Sequence, residues 1–154
     1  MSTTSALVVP DASVILKWVL PAEDEPHADR AAHLLDAFVA RELRCAVPAL
    51  WRFEVGNTIA RRFPEEAPAW LDALERLGLD ELVPGQRWLG TTLALTRTHG
   101  VTFYDAAYHA GAIELGGTFV TADTRYVTKA REAGAVVSLA DWSVSDPAEH
   151  DAPR

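Results

Sequence analysis

The chain has little of what several kinds of site require. A single cysteine, Cys45, rules out a disulfide framework and any thiolate-rich zinc site, and it suits a reducing compartment. No Gly-x-Ser-x-Gly, Cys-x-x-Cys or His-Glu-x-x-His pattern occurs, so no familiar nucleophile elbow, redox pair or zinc helix is on offer. Long apolar runs are missing too. The most apolar stretch, Ala6 to Leu20, is interrupted by Asp11 and Lys17, and no basic segment precedes it. A membrane span or secretory signal is therefore not expected, and a cytoplasmic location is. Basic charge is scarce: 14 Lys+Arg, only two of them lysine, face 22 Asp+Glu and leave a formal charge of −8. Bulk electrostatics thus disfavours tight, sequence-independent binding of nucleic acid.

What remains is an ordinary globular composition. With 154 residues, 49% hydrophobic and 23% charged, the chain fits one domain. At this size folding buries roughly 70% of the unfolded surface, enough for a core without covalent staples. Short apolar runs at Ala6–Val9, Cys45–Val47, Glu81–Val83, Thr118–Thr121 and Val136–Val137 read as strands. Between them lie helical segments at 13–19, 27–41, 49–63, 68–78, 86–99, 104–115 and 124–133, several closed by Gly78, Gly100, Gly116 or Gly134. Such alternation predicts an α/β fold with a parallel sheet covered on both faces. Residues 1–142 form the expected domain, and 143–154, rich in Ser, Asp, Pro and Glu, a loose acidic tail.

In such folds ligands sit outside the carboxyl ends of the strands, so the polar residues there matter most. Asp11 follows the first strand. Taken alone, Asp11-Ala-Ser13 is a turn or helix cap. Asp105 stands at capping-box spacing in Thr102-Phe-Tyr-Asp105, and Asp123 can cap the helix that starts at Thr124. Glu54 differs, because it lies inside a helix. At about 100° per residue, Trp51, Phe53, Val55, Ile59, Ala60 and Phe63 share an apolar arc, opposite Leu50, Glu54, Asn57 and Arg61. That polar stripe is either a solvent face or the wall of a crevice.

Together the four acids say more than each does singly. No Lys or Arg stands next to any of them to neutralise it. Converging carboxylates repel unless a cation joins them, and all-oxygen ligation suits Mg²⁺ or Mn²⁺.

Four segments then carry a resemblance: Val8-Val-Pro-Asp11-Ala-Ser13-Val, Val47-Pro-Ala-Leu-Trp-Arg-Phe-Glu54-Val-Gly-Asn57, Thr102-Phe-Tyr-Asp105-Ala-Ala-Tyr and Phe119-Val-Thr-Ala-Asp123-Thr-Arg-Tyr126. In order and spacing the set resembles the PIN-domain ribonucleases, and most nearly the VapC-type toxins of bacterial toxin–antitoxin pairs. The resemblance implies a PIN-like three-layer fold with a short, mostly parallel central sheet. It further implies a Mg²⁺- or Mn²⁺-dependent endoribonuclease whose metal-binding, catalytic acids are Asp11, Glu54, Asp105 and Asp123. Ser13 and Thr121 match positions that often carry a hydroxyl beside the metals, and Asn57 matches a frequent family residue. A homodimer, an RNA substrate and a small antitoxin partner are implied as well. Pro10, directly before the first acid, and the acidic tail are the departures.

Arg61, Arg62 and Arg125 are candidate phosphate contacts, and the five tryptophans and three tyrosines candidate stacking platforms. Two other readings compete. A haloacid-dehalogenase-like phosphatase also places an acid after its first strand, but it needs a second acid where Ser13 stands. A PIN-like fold kept only as an inactive binding module would not need all four acids intact. The −8 charge does not exclude RNA, since part of it belongs to the acid cluster and part to Glu23, Asp24, Glu25 and Asp29.

Overall fold

The computed structural model describes residues 5–144. Its sheet has five strands, β1 (Ala6–Pro10), β2 (Leu43–Pro48), β3 (Asp80–Leu82), β4 (Thr118–Thr121) and β5 (Val136–Ser138). They pair in the order β3-β2-β1-β4-β5, and every pairing is parallel. The helices are α1 (Ala12–Leu16), α2 (Ala28–Val39), α3 (Trp51–Arg62), α4 (Ala67–Arg76), α5 (Gln86–His99), α6 (Phe103–Leu115) and α7 (Thr124–Ala130). The three-layer α/β arrangement expected from the alternation is what forms. Among the described residues, no helix is long and apolar enough to cross a membrane.

Alternation along the strands builds the two outer layers. Val8 and Val120 point to one face, where Ala31, Leu34 and Ala37 of α2 pack with Leu139 and Trp142. Val9 and Phe119 point to the other, against Tyr108 and Ala112 of α6. Helix α5 covers α6 in turn through Leu95, Ala106 and Ala110, and the Trp88 indole N–H donates to the Ala107 carbonyl at 2.7 Å. Proline closes the two central strands. Pro10 pairs with Val120, and the ladder passes to the next amide, with Asp11 N–H donating to Val120 O at 2.9 Å.

The elements differ from the sequence reading at their edges. The first helix stops at Leu16, and the chain reaches Pro21 through turns. The segment from Thr124 ends as α-helix at Ala130 and finishes in a 3₁₀ turn, Arg131–Ala133. A further 3₁₀ turn, Ala22–Asp24, opens the acidic stretch. There Glu25 is not free: it accepts from Lys17 Nζ at 3.0 Å. Trp142 belongs to the core while Ser143 and Val144 are exposed, and the rest of the expected acidic tail lies outside the described residues.

Two glycines should answer a methyl group with opposite sign. A Cβ at Gly117 would stand 2.6 Å from the Leu7 carbonyl oxygen, a backbone atom of the central strand that cannot step aside. Gly117→Ala should lower stability by about 1–3 kcal/mol. A Cβ at Gly90, inside α5, meets nothing within 4 Å. Gly90→Ala should raise stability by about 0.5–1 kcal/mol. Thermal or urea denaturation of the two variants checks both signs.

Candidate active site

The strand order reverses its winding between β1 and β4, and in open parallel sheets the carboxyl ends at such a switch point are where a ligand crevice is expected. Asp11 leaves β1 directly into it. Its backbone is extended, so the side chain caps α1 by accepting from Ser13 N–H at 3.2 Å. The same oxygen, Oδ2, accepts from the Ser13 hydroxyl at 2.5 Å and the Thr121 hydroxyl at 3.3 Å. Thr121, the last residue of β4, accepts in turn from Asp123 N–H at 3.0 Å, and Ser13 Oγ accepts from Ala122 N–H at 3.1 Å. The two hydroxyls thus tie the end of β1 to the end of β4.

Asp123 caps α7: its Oδ1 accepts from Arg125 N–H at 3.0 Å and Tyr126 N–H at 3.2 Å. Asp105 sits in the first turn of α6, where its N–H donates to the N-cap hydroxyl of Thr102 at 3.2 Å. Glu54 projects from α3 toward α6. The buried Tyr108, one turn beyond Asp105, donates its hydroxyl to Glu54 Oε1 at 2.8 Å. The polar stripe of α3 is therefore, at Glu54, turned toward α6, while Asn57 and Arg61 are exposed.

Local capping is present, and so is electrostatic influence of the acids on one another. Asp11, Glu54 and Asp123 are each held through a single oxygen, and among the described residues the second oxygen of each has no hydrogen-bond donor. No Lys or Arg among the described residues forms an ion pair with any of the four acids. Burial pushes the Asp11 carboxyl up from its ordinary value, with the Asp105 charge adding to it against the Ser13 and Thr121 hydrogen bonds. Burial likewise raises Glu54, with Asp11 and Asp105 adding to it against the Tyr108 hydrogen bond. Asp105 is raised by burial and by Asp123, with Thr102 opposing. The acids feel one another.

An all-oxygen set of one buried, two half-buried and one exposed carboxylate, with no ion-paired Lys or Arg among the described residues, has the chemistry and charge that fit a hard divalent ion. Among the described residues, no three His, Cys, Asp or Glu side chains already stand close enough to grip one.

Other residues singled out from the sequence fall differently. Ser13 and Thr121 lie in the cluster as hydroxyl donors. Asn57, Arg61, Arg62 and Arg125 are exposed. Arg61, Arg62 and Arg125 carry no ion pair among the described residues, while Arg52 pairs with Glu75 and Glu81 and Arg44 with Asp80. The apolar arc drawn for α3 needs correction: Trp51, Val55 and Ile59 are buried, but Ala60 and Phe53 face solvent, Phe53 at 74% exposure. The helix lies on the protein by a narrower stripe than its composition suggests. Trp51 and Trp142 are core residues and not stacking platforms, whereas Phe53, Phe103 and Tyr104, neighbours of Glu54 and Asp105, are exposed.

One residue at the site's edge belongs to none of the four motifs. His109 is fully buried, with Nδ1 2.8 Å from the Tyr126 hydroxyl and Nε2 2.6 Å from Gly134 O. Its signal was the small-residue run around it. Ala106, Ala107, Ala110, Gly111 and Ala112 are all buried, so α6 is enclosed on nearly every side.

The raised carboxyls set a sign for pH. In the metal-free protein their stabilisation is full below the ordinary carboxylate range and is lost as pH rises through the raised values. Thermal stability should therefore carry a falling contribution from weak acid to pH 7. Asp105→Asn should flatten that slope and raise the metal-free midpoint at pH 7 by about 2 °C. Millimolar Mg²⁺ at about 100 times its dissociation constant should raise the parent's midpoint by about 5 °C or more and the variant's by much less. Calorimetric scans with and without Mg²⁺ measure both.

Comparison with known proteins identifies the family and the fold. The PIN domain family model matches residues 8–132. PAE2754 from Pyrobaculum aerophilum shares the fold at 22% identity, covering 88% of this chain and 90% of that one, with a TM-score of 0.62. VapBC2 from Rickettsia felis, solved bound to a DNA fragment from its promoter, aligns at 12% identity over 89% of this chain and 99% of that one, with a TM-score of 0.64. FitAcB from Neisseria gonorrhoeae aligns at 18% identity over 88% and 99%, with a TM-score of 0.62. No curated protein matches the chain in sequence. With the family model spanning its sequence from β1 to the turn after α7, the chain belongs to the PIN domain family.

Proposed function

We propose that this chain is a Mg²⁺- or Mn²⁺-dependent endoribonuclease and the toxin of a toxin–antitoxin pair. The observation that carries the nuclease reading is the crevice: four carboxylates, three of them raised by burial and by one another, with no Lys or Arg paired to them among the described residues. Asp11, Glu54, Asp105 and Asp123 are the residues that would hold the metal. When bound, Mg²⁺ or Mn²⁺ would supply the Lewis acidity that eases attack of water on a phosphodiester and stabilises the leaving oxygen.

The chain's own residues set the rest. Ser13 and Thr121 fix Asp11 through one oxygen and leave the other open to the crevice. Tyr108 does the same for Glu54. Arg61, Arg62 and Arg125, exposed and free of ion pairs among the described residues, are the candidates to meet phosphates. Phe53 and Tyr104, exposed beside Glu54 and Asp105, offer flat faces to unpaired bases. Each of those contacts is sequence-tolerant, which suits single-stranded RNA.

The toxin role is supported by the resemblance of the four motifs to VapC-type toxins and by the fold shared with VapBC2 and FitAcB. It brings with it a small antitoxin partner, a homodimer and a cytoplasmic setting. The phosphatase alternative gains nothing from the structure, since Ser13, at the place of its second acid, serves as a hydroxyl donor to Asp11.

Cleavage of bulk single-stranded RNA with Mg²⁺ or Mn²⁺ tests the activity. Asp11→Asn and Asp105→Asn should each lose about 100-fold or more, and a chelator should abolish cleavage by the parent. Equal cleavage by all three proteins, or cleavage that survives chelation, would overturn the metal assignment. Growth arrest on expression, relieved by co-expression of the adjacent gene product, tests the toxin role.

A further inference from the structure

Helix α7 carries Asp123 and is only seven residues long, too short to hold its own shape in water. Something else must fix it. Its third residue, Tyr126, is buried and sits edge-on to Phe119 at 5.3 Å between ring centroids. Its far end relaxes into the Arg131–Ala133 turn and closes at Gly134, whose φ is +73°. One side chain touches both ends. His109, reaching from α6, meets the Tyr126 hydroxyl with Nδ1 at 2.8 Å and the Gly134 carbonyl with Nε2 at 2.6 Å, and its ring stacks on Phe119 at 5.8 Å.

The donors and acceptors admit one arrangement. A carbonyl oxygen only accepts, so Nε2 carries the proton. The ring is buried without a carboxylate partner and is therefore neutral, which leaves Nδ1 bare and makes the Tyr126 hydroxyl its donor. Burial also lowers the pKa of His109, in the same direction. The consequence reaches the crevice through the backbone. The Tyr126 N–H is one of the two donors that hold Asp123 Oδ1.

We infer that His109 is a positioning residue for Asp123: in one fixed tautomer it staples the short helix at both ends, and through Tyr126 it sets where that carboxylate stands. The role rests on the reading of Asp123 as a metal-binding acid. His109 also shares α6 with Asp105, four residues back, and with Tyr108, which holds Glu54. A single helix thus bears one acid and governs two others.

Mn²⁺ binding to the isolated protein, followed by the free-Mn²⁺ electron paramagnetic resonance signal, tests this without RNA. Tyr126→Phe removes the hydroxyl that Nδ1 accepts from while keeping the ring's packing. It should weaken Mn²⁺ binding by about 10-fold, the lower end for loss of a group that orients a ligand. In an Asp123→Asn background the same change should weaken binding by less than about 2-fold, since the path it acts through is gone. His109→Asn, whose side-chain oxygen overlays Nδ1, should retain more of the affinity than His109→Gln, whose nitrogen overlays Nε2. Nitrogen-15 spectra of the parent should show His109 protonated at Nε2 alone. Unchanged Mn²⁺ affinity in Tyr126→Phe, a full 10-fold loss that persists in the Asp123→Asn background, or the opposite tautomer would overturn the positioning role. If Asp123→Asn itself binds Mn²⁺ as the parent does, the assignment of Asp123 to the metal falls, and the positioning role with it.

Discussion

Repulsion among carboxylates is costly wherever water is partly excluded, because neither solvent nor a neighbouring cation screens it. Asp11, Glu54 and Asp105 bear that cost together, each held above its ordinary pKa by burial and by another acid of the cluster. The rest of the site is arranged to hold them there. Three hydroxyls, from Ser13, Thr121 and Tyr108, are committed to Asp11 and Glu54. Each leaves one carboxylate oxygen free, so the strain is contained without being neutralised. A divalent cation is the partner we propose for such an arrangement.

The fold serves this arrangement through two elements. The parallel sheet delivers Asp11 from β1 and Asp123 from just beyond β4, side by side, because β1 and β4 are hydrogen-bonded neighbours. Helix α6 does the remaining work. It packs on the sheet through small residues, so close that a Cβ on Gly111 would collide with Leu82. That proximity lets Tyr108 reach Glu54 on one side and His109 reach Tyr126 on the other. Substitutions that lift α6 off the sheet would disturb three of the four acids at once.

Much of this was legible in the sequence because it is local. A strand that ends in proline and then an acid has few ways to continue, and Asp11 and Asp123 both cap the helices their neighbours begin. Gly100 and Gly116 close α5 and α6 in the left-handed conformation that a glycine at that spacing announces. What was not legible depends on contacts between distant segments. Helical periodicity cannot tell how wide a face its neighbours will cover, so Phe53 and Ala60 were assigned to an arc that stays open. Nor does a histidine in a helix reveal its depth. His109 is buried because α5, α7 and the sheet all close over the small residues around it, and that enclosure is tertiary. The convergence of the four acids was read from their order and resemblance, and their shared electrostatics emerges only once α3 and α6 are in place.

The central claim is that the cluster is completed by a divalent cation held between Asp11 and the acids around it. Anomalous X-ray scattering from crystals soaked in Mn²⁺ tests it most directly. The account predicts a manganese peak in the crevice, ligated by Asp11 and by at least one of Glu54, Asp105 and Asp123 through the oxygens that now lack donors. Manganese bound only at the surface acids Glu23, Asp24 and Asp29, with the crevice empty at saturating metal, would contradict it.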